Sequence, residues 1–352
     1  MAIQKLSVDA YNQNREHQIT IDVRSPAEYE HAHIPGAFSL PLFDNNQRAI
    51  VGTTYKKQSR ENAIKIALPM FGDKMLTMVN EVEKWVNNFA DQHDNNKPII
   101  IVHCWRGGMR SAAVAWLLDL YGFKVAQLIG GYKAYRNWII SHFEIEYKLR
   151  VIGGYTGSGK TEILHALQLR GETIIDLEGL ANHKGSSFGA LGQAKQPSQE
   201  MFENILGIAL SKIDANMNSI WIEDESQRIG TVMIPNTFFK LIRCSPCYFI
   251  EIPFDERLQF IVANYGSFDK TDLIAATTRI QKRLGGLETK NAIQYLENGE
   301  TLAAFEILLK YYDKWYDKFS KQSAEPTLEL IKLTATGVNA LENAKLLLAL
   351  NK

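Results

Sequence analysis

Residues 149–169 constrain the fold more tightly than any other stretch of the chain. Leu149-Arg150-Val151-Ile152-Gly153 reads as an apolar strand, and a helical pattern runs from Lys160 to about Leu169. Between them, Gly154-Tyr155-Thr156-Gly157-Ser158-Gly159-Lys160-Thr161 fits G-x-x-x-x-G-K-[ST] without a mismatch. A glycine-rich turn between a strand and a helix aims several backbone N–H groups at one point, where they would cradle phosphates. Gly154, Thr156, Gly157, Ser158 and Gly159 form that cradle. Lys160 would reach an outer phosphate, and the Thr161 hydroxyl would ligate Mg2+. A neighbouring strand should bring an acidic side chain to the metal. Ser219-Ile220-Trp221-Ile222-Glu223-Asp224-Glu225-Ser226 is the candidate, with Asp224 preferred and Glu223 second.

The chain has 352 residues, enough for about two domains. The N-terminal part shows its own alternation of strands and helices. Ile19–Val23 is a β-branched run, and Ser25-Pro26-Ala27-Glu28 carries the N-cap, Pro and Glu spacing of a helix start. Residues 75–90 are amphipathic. Ile99-Ile100-Ile101-Val102 is a continuous apolar run, as expected of a strand buried on both faces of a parallel sheet. Val125–Ile129 reads as another strand. Glu144–Lys148 looks like the join, which divides the chain into residues 1–144 and 145–352. In the second part, strands are expected at Glu172–Asp176, Ser219–Glu223, Cys247–Pro253 and Thr327–Leu333, with long helical patterns after Asp269. Two α/β domains follow.

The buried strand of the first domain ends at His103, and Cys104-Trp105-Arg106-Gly107-Gly108-Met109-Arg110-Ser111 leads straight into a helix. A loop entering a helix N-terminus presents N–H groups and the positive end of the helix dipole. Arg106 and Arg110 add positive charge. This setting favours the thiolate, the nucleophilic form of cysteine. The loop should therefore hold an anion beside a reactive sulfur, with Cys104, Arg106 and Arg110 as the catalytic group.

Lys plus Arg and Asp plus Glu both number 39, so the net charge points to no polyanionic partner and any nucleic-acid contact must be local. Lys133, Arg136, Lys148 and Arg150, interspersed with Tyr132, Tyr135, Trp138 and Tyr147, are the candidate patch; an ordinary solvated face over core aromatics reads equally well. Three cysteines make no disulfide framework. Cys244-Ser245-Pro246-Cys247 has no second half for a zinc site. Gly179–Gly189 is either a substrate loop or a surface loop. No apolar run reaches membrane-spanning length and the N-terminus reads as no signal segment, so a cytoplasmic protein without a membrane partner is expected.

Asp22-Val23-Arg24, Glu28-Tyr29, His33-Ile34-Pro35-Gly36-Ala37 and the cysteine loop together resemble a rhodanese domain over about residues 5–140. Five residues separate Cys104 from Arg110, one more than in common single-domain rhodaneses. The string also fits the protein tyrosine phosphatase signature, and a wider loop suits a tetrahedral anion. With a P-loop NTPase-like domain following, the whole chain resembles the tRNA 2-selenouridine synthases. That resemblance implies replacement of sulfur by selenium in wobble 2-thiouridine of tRNA, with selenophosphate as donor. It also implies S-geranylation from geranyl diphosphate, and no redox cofactor. Two other readings stay open on the residues alone. One is a rhodanese-fold phosphatase or sulfurtransferase fused to a small-molecule kinase. The other is a nucleotide-switched binding protein.

Overall fold

The computed structural model describes residues 3–94, 96–322 and 329–350, with the backbone alone for 317–322. The chain divides into two compact units, Met1–Ser141 and His142–Lys352.

The first unit is built on five parallel strands: β1 (Gln4–Leu6), β2 (Gln18–Asp22), β3 (Phe38–Ser39), β4 (Ile99–His103) and β5 (Val125–Leu128). Their order is β1-β5-β4-β2-β3, so β4 is central. Ile100, Ile101 and Val102 are fully buried, which is why β4 reads as an unbroken apolar run. Val79, Val82 and Val86, on one face of the helix Met75–Gln92, pack with Val114 and Leu118 of Met109–Tyr121 into the same core. The Ser25 capping box forms as expected: Glu28 accepts from the Ser25 N–H at 3.2 Å. At the C-terminal end of β2, Arg24 and Asp22 make a buried ion pair at 2.6 Å, and the Arg24 guanidinium lies 3.9 Å from the centre of the Tyr132 ring.

The second unit carries another parallel sheet: β6 (Lys148–Gly153), β7 (Thr173–Ile175), β8 (Ser219–Glu223), β11 (Cys247–Glu251) and β12 (Leu330–Thr334). The order is β12-β11-β6-β8-β7, with β6 central. A two-stranded antiparallel hairpin, β9 (Arg228–Ile229) with β10 (Val232–Met233), follows β8. Of the expected strand Thr327–Leu333, Thr327 and Leu328 lie outside the described residues. A second, helical core is made by Leu258, Ile261, Leu273, Phe305, Leu308 and Leu309.

Several elements go beyond the sequence reading. The helices Asn45–Lys57 and Arg60–Gly72 carry little apolar periodicity; the first buries only Thr54, and the second contains Pro69. The strand β1 is a three-residue edge with an exposed pattern, too short to show a period.

Candidate active site

Each unit sets its reactive loop at the C-terminal end of its central strand, where open parallel sheets form their ligand crevices. In the first unit the loop leaves β4 at Cys104 and enters the helix Met109–Tyr121. Cys104 is buried, and its sulfur receives the Gly108 N–H at 3.3 Å and lies 3.2 Å from Ser111 Oγ. Gln127, on β5, donates to Ser111 Oγ at 2.7 Å and to the Gly107 carbonyl at 2.9 Å. Ser111 in turn donates to the Gly108 carbonyl at 3.1 Å. Rotating that hydroxyl toward the sulfur would give a thiolate a second donor. Gln127 is absent from the sequence reading; its signal is a lone polar side chain in the fully buried strand Val125–Leu128.

The loop is held by backbone. Tyr132 N–H donates to the Cys104 carbonyl and Lys133 N–H to that of Trp105, both at 2.9 Å. A Cβ on Gly131 would sit 2.2 Å from the Cys104 carbonyl oxygen, at φ +58°, so only glycine fits there. Arg110 donates to Glu28 at 2.9 Å, so the capping carboxylate of the helix Pro26–His31 fixes that guanidinium. Arg106, Trp105 and Met109 are exposed on the loop.

The second unit's loop follows β6. Gly157 and Gly159 have φ of +81° and +70°, and a Cβ on Gly157 would meet Ile261 at 2.7 Å. Ser158 Oγ is buried without a protein partner. Lys160 Nζ donates at 3.3 Å to the Gly154 carbonyl, and its charge also acts on the nearby Glu178, Glu223 and Glu225. Arg257, itself buried, donates to the Thr156 carbonyl at 3.0 Å and pairs with Asp313 of the helix Thr301–Gln322 at 2.8 Å. It ties the loop to that helix.

The acidic partner differs from the sequence preference. Thr161 Oγ1 lies 3.0 Å from both Glu223 and Glu178, whereas Asp224 is taken by Arg243 and by the Tyr316 hydroxyl at 2.7 Å. Alternation along the strand decides this: Glu223 ends β8 on the loop side, and Asp224 turns away. Glu178 lies in the first turn of the helix Leu177–Ala181, and its N–H donates to Glu223 at 2.8 Å. Burial, with Glu178 and Asp176 nearby, pushes Glu223 up to about 8; burial also raises Glu178 and Glu225. One hydroxyl hydrogen cannot serve two carboxylates at 3.0 Å, so a shared carboxyl proton completes the arrangement. Among the described residues no three His, Cys, Asp or Glu side chains are grouped as a metal site. A magnesium ion that keeps several waters and bridges to phosphate needs fewer protein ligands, and Thr161 with Glu223 is a hard-oxygen pair of that kind.

A consequence for stability follows. The folded state holds the Glu223 proton up to about pH 8, whereas an ordinary glutamate loses it near 4.5. Folded protein therefore binds more protons than unfolded across that window, and stability without divalent cation should fall as pH rises through it. Glu223→Gln should flatten the decline in melting temperature between about pH 5 and 8. An unchanged slope would show that Glu223 is not the group responsible.

The loop opens into a cavity of about 1070 Å3. Its phosphate-loop end is polar. One stretch of the remaining wall is apolar and aromatic, with Phe260, Phe305, Leu308, Leu309 and Trp315; another is polar, with Asp224, Gln227, Arg243 and Asn264. Lys184, Gly185, Ser186 and Phe188 also line it, so the Gly179–Gly189 segment is part of the site. Cys247 sits in the wall with its thiol pushed up to about 12 by burial, and Cys244 is exposed. The tyrosines of the candidate basic patch do not face outward: Tyr132, Tyr135 and Tyr147 are core residues. Lys133 and Arg136 belong to one unit and Lys148 and Arg150 to the other.

Residues 7–137 match the rhodanese-like domain family, and residues 147–330 match the family described as the tRNA 2-selenouridine synthase AAA domain. The chain belongs to the tRNA 2-selenouridine synthase family. A tRNA 2-selenouridine synthase of Hydrogenovibrio crunogenus is 35% identical over 84% of this chain and 88% of its own length. Those of Nitrosomonas europaea and Sulfurovum sp. are 39% and 32% identical, over 70% and 88% of this chain and 63% and 90% of theirs. Among the described residues no helix is long and apolar enough to cross a membrane.

Proposed function

We propose that this chain replaces the sulfur of wobble 2-thiouridine in tRNA with selenium, through an S-geranylated intermediate. The observation that carries the reading is the cavity that joins a phosphate loop to an apolar wall. A prenyl diphosphate has those two ends. Its diphosphate would lie on the N–H groups of Gly157 and Gly159 and the unpartnered Ser158 hydroxyl, with Lys160 on the outer phosphate, and its tail along Leu308, Leu309 and Phe305. The thiocarbonyl sulfur of the base attacks C1 of the donor. The C–O bond breaks, and pyrophosphate leaves with the electron pair, its charge met by Lys160 and the loop. Thr161 and Glu223 would hold Mg2+, which supplies further neutralisation of the departing pyrophosphate. Alkylated sulfur is the better leaving group, so C2 of the base becomes the electrophile.

Selenophosphate carries reduced selenium on phosphorus. Transfer of that selenium onto a cysteine sulfur would need an oxidant. Attack of the Cys104 thiolate on phosphorus needs none: an S–P bond forms, the P–Se bond breaks, and selenide leaves with the pair. Selenide then adds at C2 and expels geranyl thiolate, and water clears the phosphorylated cysteine. The Gly108 N–H at the sulfur and the wide loop support an attack on a tetrahedral centre.

The test is mass spectrometry of nucleosides from 2-thiouridine tRNA incubated with enzyme, geranyl diphosphate and selenophosphate. The expected product is 2-selenouridine, with the geranylated nucleoside when selenophosphate is withheld. An unmodified tRNA would overturn the reading.

A further inference from the structure

A second concave site lies beside the first, on the outer side of the helix Thr301–Gln322. It has a volume of about 550 Å3 and is lined by Arg283, Leu284, Glu288, Ile307, Lys310, Tyr311, Lys314 and Trp315. Nothing in the reaction scheme above uses it. Its composition follows from helical spacing. Lys310 and Lys314, like Tyr311 and Trp315, stand four residues apart, so the two cations form one row along the helix and the two rings the adjacent row. Lys310 and Lys314 are exposed, and Trp315 is 40% exposed. From the short helix Gln281–Leu284, Arg283 sets its guanidinium 5.4 Å from the Trp315 ring centre. Tyr311 and Trp315 meet edge to face at 6.5 Å.

The charge balance of this groove runs against that of the whole chain. Three cations face it and Glu288 is the one acid in its lining, although the protein has zero net charge. Lys310 also has Glu306 one helical turn away, at 2.5 Å, an exposed pair that a phosphate can replace at little cost. Rings for stacking with cations for phosphates, in a groove open to solvent, is the composition that receives unpaired nucleotides. Trp315 lines both this groove and the large cavity, so an occupant of the groove adjoins the mouth of the phosphate-loop site.

We infer that this groove binds the unpaired nucleotides of the RNA substrate, stacking a base on Trp315 or Tyr311 and taking the flanking phosphates on Arg283, Lys310 and Lys314. The inference rests on the tRNA reading above and adds where the RNA docks. It replaces the basic patch of the sequence reading, three of whose four aromatic members, Tyr132, Tyr135 and Tyr147, are buried in the cores.

The experiment measures binding of an anticodon stem-loop bearing 2-thiouridine to the full chain, by fluorescence anisotropy across a salt series. Wild type is compared with Arg283→Ala and with Lys310→Ala/Lys314→Ala. Pyrophosphate binding is followed in parallel as a readout of the phosphate-loop site. The double variant should bind RNA about tenfold or more weakly, and its slope of log affinity against log salt should shrink by about 0.7 for each lysine lost. Pyrophosphate binding should be unchanged in the same protein. Wild-type RNA affinity and salt slope in both variants would overturn the groove and leave the tRNA reading standing. A wild-type protein that fails to bind the stem-loop would overturn both. If weakened RNA binding came with an equal loss of pyrophosphate binding, the lysines would be acting through the fold, and the groove assignment would also fall.

Discussion

Replacing Cys104 by alanine should abolish 2-selenouridine formation, by about 10³-fold or more, while the geranylated nucleoside accumulates. No other described cysteine can take its place. Cys247 is buried, with its thiol held up near 12, and Cys244 lies in the other unit without a glycine loop around it. Removing one buried sulfur leaves the backbone bonds from Tyr132 and Lys133 intact, so the loop should keep its shape. The measurement is a single-turnover time course of nucleoside products together with phosphate release from selenophosphate. Both should vanish, because in the proposed route selenide leaves as Cys104 is phosphorylated, and phosphate is released only when water hydrolyses that phosphorylated cysteine. Phosphate release without selenouridine would place the cysteine after selenophosphate cleavage. Selenouridine at the wild-type rate would remove Cys104 from the mechanism.

Lys160→Ala should act on the opposite half. The lysine makes no ion pair among the described residues, and its partner is a neutral carbonyl, so it is poised for an external anion. Its removal should slow prenyl transfer by about 10²–10³-fold, the usual cost of deleting one electrophilic donor from a leaving-group site. Selenophosphate cleavage should proceed as in wild type, since that chemistry belongs to the other unit. Normal geranyl transfer by this variant would show that the phosphate loop does not hold the prenyl donor. The two variants together separate the half-reactions: one stalls after alkylation, the other before it.

How much of this was legible in the sequence depended on whether a residue's chemistry was local. The Cys104 and Lys160 loops were legible because each needs a contiguous run of glycines between a strand and a helix. Asp224 was preferred over Glu223 because composition cannot say which of two adjacent carboxylates faces a loop across the sheet; the pairing of β6 with β8 settles that. Glu178 and Gln127 reach their sites from elsewhere in the chain, 17 residues from Thr161 and 16 from Ser111, and no spacing rule connects them. Whether Tyr132 and Tyr135 stack on a ligand or fill the core stayed open, because periodicity alone does not tell which side of a helix is covered. The groove beside Trp315 depends on two helices meeting, which no local pattern reports.

Arg257 has a consequence of its own. It holds the Thr156 carbonyl at one end and Asp313 at the other, so the phosphate loop and the helix with the two lysines form one mechanical piece. A group that settles on the loop and a strand that settles on the outer face of that helix press on the same strut. Their affinities are then thermodynamically reciprocal: whatever factor the first occupant contributes to the second, the second returns to the first. Where that factor exceeds one, the protein favours being doubly loaded or empty over holding a reactive donor with nothing to receive it.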